Sequence, residues 1–353
     1  MPSITFANGP ESDGFEMKDF LTLLNRSIKG IDMKKNLLAT TFLAFTSVGC
    51  SSAFAADVTM PDPNYATATA VMNVIKAAAE QELGLEVSTV TTTAVPVIWE
   101  AMDRSKGEVD IWPDVWLPNQ NGLVDKYVKG SKTVKLAANG YEAVQGYCVT
   151  KTTVTDHNIK SVYDLANPEN AKLFDTNGDG KGEIWMGASG WQSTNIEKVK
   201  ARDYGFAEFF DLQVTDEAVA TASLDKAAKA NKPWVGYCYG PHQNFALYDL
   251  AMLEEPKNDP AKFVMVQPND DPDWYNKSKV TSGYATTTVH IAYAASLAER
   301  QPDLAAALEK MSFKPEDVSK MAFEIIVNKK PAADVAKEWV KANQQDVSKW
   351  FGH

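Results

Sequence analysis

Cysteine and histidine are scarce: three Cys and four His stand among 353 residues. Cys148 and Cys238 each sit inside a Gly-Tyr-Cys triplet, and two sulfurs make no disulfide scaffold. The sequence leaves a disulfide and a pair of buried thiols equally open. His157, His242, His290 and His353 show no metal-ligand spacing. The G-x-S-x-G, H-E-x-x-H and phosphate-loop patterns are missing too, so nothing in the chain argues for an enzyme. Basic charge is in deficit, with 35 Lys and Arg against 46 Asp and Glu and a net charge of −11. A nucleic-acid partner, which needs a basic surface, is disfavoured. Leu37 to Val48 form an apolar run that is too short to span a membrane.

That run nevertheless belongs to a recognisable pattern. From Met33 the chain reads "MKKNLLATTFLAFTSVGCSSAFAADV", with Lys34 and Lys35 ahead of the apolar run and Ala53-Phe54-Ala55 as an A-x-A cleavage site. We read 33–55 as a signal peptide and 1–32 as an upstream segment outside the fold. The exported compartment implied for this acidic chain is the bacterial periplasm.

Beyond the leader, strand-like and helical stretches alternate. "VTMPD" precedes a helix with Val71, Val74, Ile75 and Ala78 on one face, which Gly84 ends. "EVSTVTTT", "EVDIW", "AVQGYCVT", "EIWMGAS" and "WVGYCY" read as strands, with helices around Arg202–Asp211 and over 215–231, and a helical tail from Pro302. Such alternation implies an α/β fold with a parallel sheet. About 300 residues exceed one comfortable core, so two α/β lobes are expected.

Two local patterns carry chemistry. "DTNGDGKGE" places Asp175, Asn177 and Asp179 at positions one, three and five of a calcium-type loop, with Gly180 at the turn. The Lys181 carbonyl falls at position seven and Glu183 at nine. Met186 stands where a bidentate Glu would close the shell, and an Asn-Gly, Asp-Gly turn is the plain alternative. The second pattern is aromatic. In "VDIWPDVWLPNQ", Pro113 and Pro118 keep Trp112 and Trp116 off a helix, so a strand end or loop is expected for both. Trp191 in "ASGWQS" and Tyr239 in "YCYGPH" likewise follow strands and abut Gly or Pro. Rings converging at strand ends make a box for a quaternary ammonium, through cation–π attraction. Trp99, Trp339 and Trp350 lie in helical patterns and read as packing residues.

"KLFDTNGDGKGE", "NGYEAVQGYCVTK", "TTTVHIAYA" and "WVKANQQDVSKW" together resemble segments of the periplasmic glycine betaine-binding proteins of ABC importers, and the likeness runs over the whole exported chain. The resemblance implies a two-lobed periplasmic binding protein of type II with the ligand cleft between its lobes. Lobe I would hold 57–143 and 284–353 and lobe II 144–283, with crossings near Gln145 and Thr286. It implies a monomer that docks on a membrane permease. It puts the cage on Trp116, Trp191 and Tyr239, with Trp112 and Trp234 near enough to enlarge it. Tyr239 replaces a family tryptophan. Gln120 stands where a family histidine helps hold a betaine carboxylate, and Glu142 adds an acid at the crossing. An acid near the cage would repel a carboxylate, so the expected ligand is trimethylamine N-oxide, with choline next and glycine betaine third. The reading from another class is a secreted calcium-dependent enzyme.

Overall fold

The computed structural model describes residues 56–353. The expected signal peptide and upstream segment lie outside the described residues. Strand β1 (Val58–Asp62) leads through Tyr65 into helix α1 (Ala66–Leu83), which Gly84 ends in the left-handed region at φ 66°. That position favours glycine because a Cβ is strained there. Strand β2 (Val87–Thr91) pairs parallel with β1, and helix α2 (Val95–Asp103) follows. Strand β3 (Ile111–Leu117) is tied to β1 by the Asp110 N–H, which donates to the Thr59 carbonyl.

Strand β4 (Val134–Thr150) organises the rest. Its first part pairs antiparallel with β11 (Thr287–Ala294), up to Ala143 opposite Thr287. From Val144 onward its partner is β7 (Val235–Gly240), with β8 (Leu250–Met252) on its other side. The full sheet runs β3-β11-β4-β7-β5-β6, with β5 at Gly182–Gly187 and β6 at Phe210–Val214. Helix α3 (Lys151–His157) follows β4, α4 (Gln192–Asp203) follows β5 and α5 (Glu217–Lys229) follows β6. A small antiparallel pair, β9 (Phe263–Val264) and β10 (Lys279–Val280), precedes β11.

The C-terminal helices α6 (Pro302–Leu308), α7 (Pro315–Ile326), α8 (Ala332–Ala342) and α9 (Gln344–Phe351) close one core. There the Val71, Val74 and Ile75 face of α1 meets Val335, Val340 and Trp350. A second core forms past the change of partner, around Tyr147, Phe174, Ile184, Met186 and Phe206. Trp99, Trp339 and Trp350 are packing residues as expected, with Trp99 stacked on Tyr127 at 6.0 Å and Trp339 on Trp350 at 5.9 Å. Cys148 and Cys238 form a disulfide between β4 and β7, which settles the alternative left open above.

One local expectation holds and another needs correction. Trp112 and Trp116 lie on β3, one residue from its start and one from its end. Proline is tolerated there because β3 borders the sheet and its register with β11 is irregular between His290 and Ala292, opposite Pro113 and Asp114. The helix expected around 202–211 ends at Asp203, and Phe210–Val214 is a strand. Its alternating apolar residues face the second core.

Candidate ligand cage

Period-two geometry places Asp114 and Trp116 on one face of β3 and Tyr237 and Tyr239 on one face of β7. Trp191 stands at the N-cap of α4 and Tyr65 at the N-cap of α1, so two helix starts add rings to the same space. The cavity so formed is also lined by Asn119, Gln120, Gln192 and Ser193. Trp116 meets Tyr239 at 5.4 Å and 85°, and Trp191 meets Tyr239 at 5.8 Å and 81°. Tyr65 lies edge-on to Trp191 at 5.1 Å. Near-perpendicular rings are walls of a box rather than a stack. The structure therefore brings Trp116, Trp191 and Tyr239 together and adds Tyr65 and Tyr237.

Asp114 is the acid that sequence reasoning missed, beside those two tyrosines. It is 2% exposed, and no lysine or arginine lines the cavity. Burial raises its carboxyl from the ordinary 3.8 to about 6, partly offset by donors from Tyr65 and Trp116, with the Glu217 charge raising it further. The Tyr65 hydroxyl and the Trp116 indole N–H, the latter at 2.9 Å, both donate to Oδ2. Burial and Asp114 hold the Tyr65 phenol far above its usual range, so it stays a neutral donor. A buried carboxylate without a basic partner is costly, and it becomes favourable when a cation takes that place.

Gln120 fixes this arrangement from behind. Its Oε1 accepts from Trp99 at 2.8 Å and from Trp112 at 3.4 Å, while its Nε2 donates to the Asp114 carbonyl at 3.0 Å. At the strand crossing, the Tyr237 hydroxyl and Asn119 Nδ2 both donate to Gln145 Oε1, at 2.9 and 2.8 Å. Polar capacity remains at the start of α4. Trp191 Nε1 and Gln192 Oε1 are buried without a partner, and no side chain caps the helix N–H groups.

Three expected site residues fall elsewhere. Glu142 is exposed, pairs across β11 with Thr288 and borders a separate groove with Pro315 and Glu316. Strand alternation turns its neighbour Tyr141 inward and Glu142 outward. Trp112 is buried against Val115 and Trp99, so it braces Gln120 instead of lining the cavity. Trp234 is half-buried beside a different hollow, where its indole donates to Ser223 Oγ at 2.9 Å.

In the 175–183 loop the carboxylates meet the loop's own amides. Asp175 accepts from the N–H groups of Gly178 and Gly180, Asp179 from Lys181, and Glu183 Oε2 from Thr176. The Gly178 and Gly180 amides hold the Asp175 carboxyl below its usual range. Glu183 Oε1 is buried without a partner. Among the described residues no three His, Cys, Asp or Glu side chains converge as a metal site. The donor types suit calcium; their present spacing is that of a self-capped turn.

The family described as OpuAC, substrate-binding domain of ABC-type glycine betaine transport systems, matches residues 56–342. The chain belongs to this family. A relative in Salmonella typhimurium, a glycine betaine/proline betaine-binding periplasmic protein, is 24% identical over 87% of this chain and 95% of its own length. Its counterpart in Escherichia coli is 22% identical over 90% of this chain and 97% of its own. Among solved structures, lactococcal OpuAC in its closed form with glycine betaine has a TM-score of 0.64 at 24% identity, over 83% of this chain and 98% of that one. A choline-binding protein with choline gives 0.64 at 19%, over 83% and 90%. The fold is thus the two-lobed binding-protein fold. The family is one of substrate-binding domains of ABC-type transport systems, and no described helix is long and apolar enough to cross a membrane.

Proposed function

We propose that this family member is the periplasmic binding component of an ABC importer and captures a small methylated amine between Trp116, Trp191 and Tyr239, with Tyr65 and Tyr237 completing the walls. Its lobes would be 57–143 with 284–353 and 144–283, closing about the β4 and β11 crossings. A trimethylammonium group is large and weakly hydrated, so boxing it costs little desolvation, and each ring contributes on the order of 0.5–2 kcal/mol. The observation that carries the reading is Asp114, a buried acid facing the cage without a basic partner. It favours a ligand with a cationic group and no carboxylate. The reason for preferring trimethylamine N-oxide thereby moves from Glu142 to Asp114, whose carboxyl, raised to about 6, can keep its proton and donate it to the N-oxide oxygen. Choline fits the same logic, because its hydroxyl can donate to the carboxylate.

Glycine betaine is the second reading. The partnerless Trp191 Nε1 and the uncapped start of α4 support it, as a place for the ligand's carboxylate. Calorimetric titration with trimethylamine N-oxide, choline and glycine betaine tests the choice. Tightest binding by either of the first two supports the Asp114 argument, and tightest binding by glycine betaine reverses it. We further propose that the 175–183 loop takes calcium through the side chains of Asp175, Asn177, Asp179 and Glu183 and the Lys181 carbonyl. Support comes from the spacing of these oxygens and from the partnerless Glu183 Oε1.

A further inference from the structure

Behind Tyr239 lies a charged chain that the cage geometry does not require. The Tyr239 hydroxyl donates to Glu217 Oε2. The other oxygen, Oε1, is 3.2 Å from His242 Nε2. His242 Nδ1 accepts the Asn244 N–H at 3.1 Å, so the ring proton sits on Nε2, the nitrogen beside Glu217. The Glu217 and His242 side chains are only 11% and 5% exposed, so water screens this chain weakly. One carboxylate oxygen thus accepts a hydrogen bond from a ring that walls the cage, and the other lies beside a histidine.

We propose that Glu217 is a specificity-determining residue that tunes the cage toward positive charge through the Tyr239 hydroxyl. The inference rests on the cage reading above. A phenol donating to a carboxylate gains electron density on its oxygen and ring, which makes the π face more negative. The attraction of such a face for a cation is electrostatic. Tryptophan at this position would have no hydroxyl through which to act, and phenylalanine would break the link. The tyrosine that departs from the resembled family's tryptophan thereby acquires a physical role.

The test compares each methylated ammonium with its uncharged-carbon isostere of nearly equal shape. The pairs are trimethylamine N-oxide with tert-butanol, choline with 3,3-dimethylbutan-1-ol, and glycine betaine with 3,3-dimethylbutanoate. The pair used is the one whose ammonium member binds the wild type, with the isostere read by competition. Glu217→Gln should weaken the ammonium about fivefold or more while the isostere changes less than about twofold. Tyr239→Phe should weaken the ammonium similarly, and the double variant should be no weaker than Tyr239→Phe alone. Equal losses for ammonium and isostere would overturn the proposal, because a packing role moves both. Additive losses in the double variant would also overturn it, because the charge would then act without the hydroxyl. If the wild type bound none of the three ammonium ligands, the cage reading itself would fall first. If one bound and Glu217→Gln matched the wild type, only this inference would fall. Should an isostere bind too weakly to measure, the double-variant comparison decides alone.

Discussion

Replacing Asp114 by Asn isolates the charge that the cage argument depends on. Burial lifts this carboxyl from 3.8 to about 6. The ligand-free fold therefore holds the proton more tightly than the unfolded chain does. The stability this gives is complete below about pH 4 and is lost as pH rises through about 6, a change on the order of 3 kcal/mol for roughly two units. A bound cation reverses the preference, since it favours the ionised form. At 4 Å and an effective dielectric of 20 that attraction is about 4 kcal/mol, enough to offset the burial cost. With a carboxyl near 6, about a tenth is ionised at pH 5 and nearly all at pH 8, so a ligand requiring the ionised form should bind about tenfold tighter at the higher pH. Choline is the probe, because its charge does not titrate. Calorimetry should show this rise in the wild type and a weaker, pH-flat affinity in Asp114→Asn. Wild-type affinity that is flat between these pH values, or an Asn variant that follows the wild-type curve, would refute the reasoning.

Other expectations follow from the same geometry. Trp116→Ala and Trp191→Ala should each weaken binding about tenfold or more, with Tyr239→Phe costing less, all read by calorimetry. Glu142→Gln should leave affinity within about twofold, because the side chain is exposed outside the cage; a larger effect would put Glu142 back in the site. Chelation by EGTA should lower the melting temperature of the wild type and leave Asp179→Ala unmoved, with ligand affinity nearly constant in both. Indifference of the wild type to chelator would make the 175–183 loop only a turn.

The legible part of the site was the part set by local grammar. Trp191 and Tyr239 announced themselves because each follows a strand-like run and abuts Gly, and Trp116 because it ends a strand-like run between two prolines, patterns that a buried core ring such as Trp99 lacks. The α/β alternation was similarly readable from helix stops such as Gly84. Asp114 was not, because "PDVW" looks like a turn acid until Tyr65, from the first loop after β1, covers it. Burial of that kind is decided by chain distant in sequence. Glu142 shows the opposite failure: alternation along β4, with Tyr141 turned inward, was enough to send it to solvent. The start of β6, Phe210 and Asp211, was misread as helix because its short apolar run fits either period.

A crystal structure of the protein with its tightest-binding methylated amine tests the central claim most directly. The account predicts the methylated nitrogen enclosed by Trp116, Trp191 and Tyr239, within about 6 Å of their ring centres, with Asp114 as the nearest acid. An ammonium group seated elsewhere, or turned away from these rings, would contradict it.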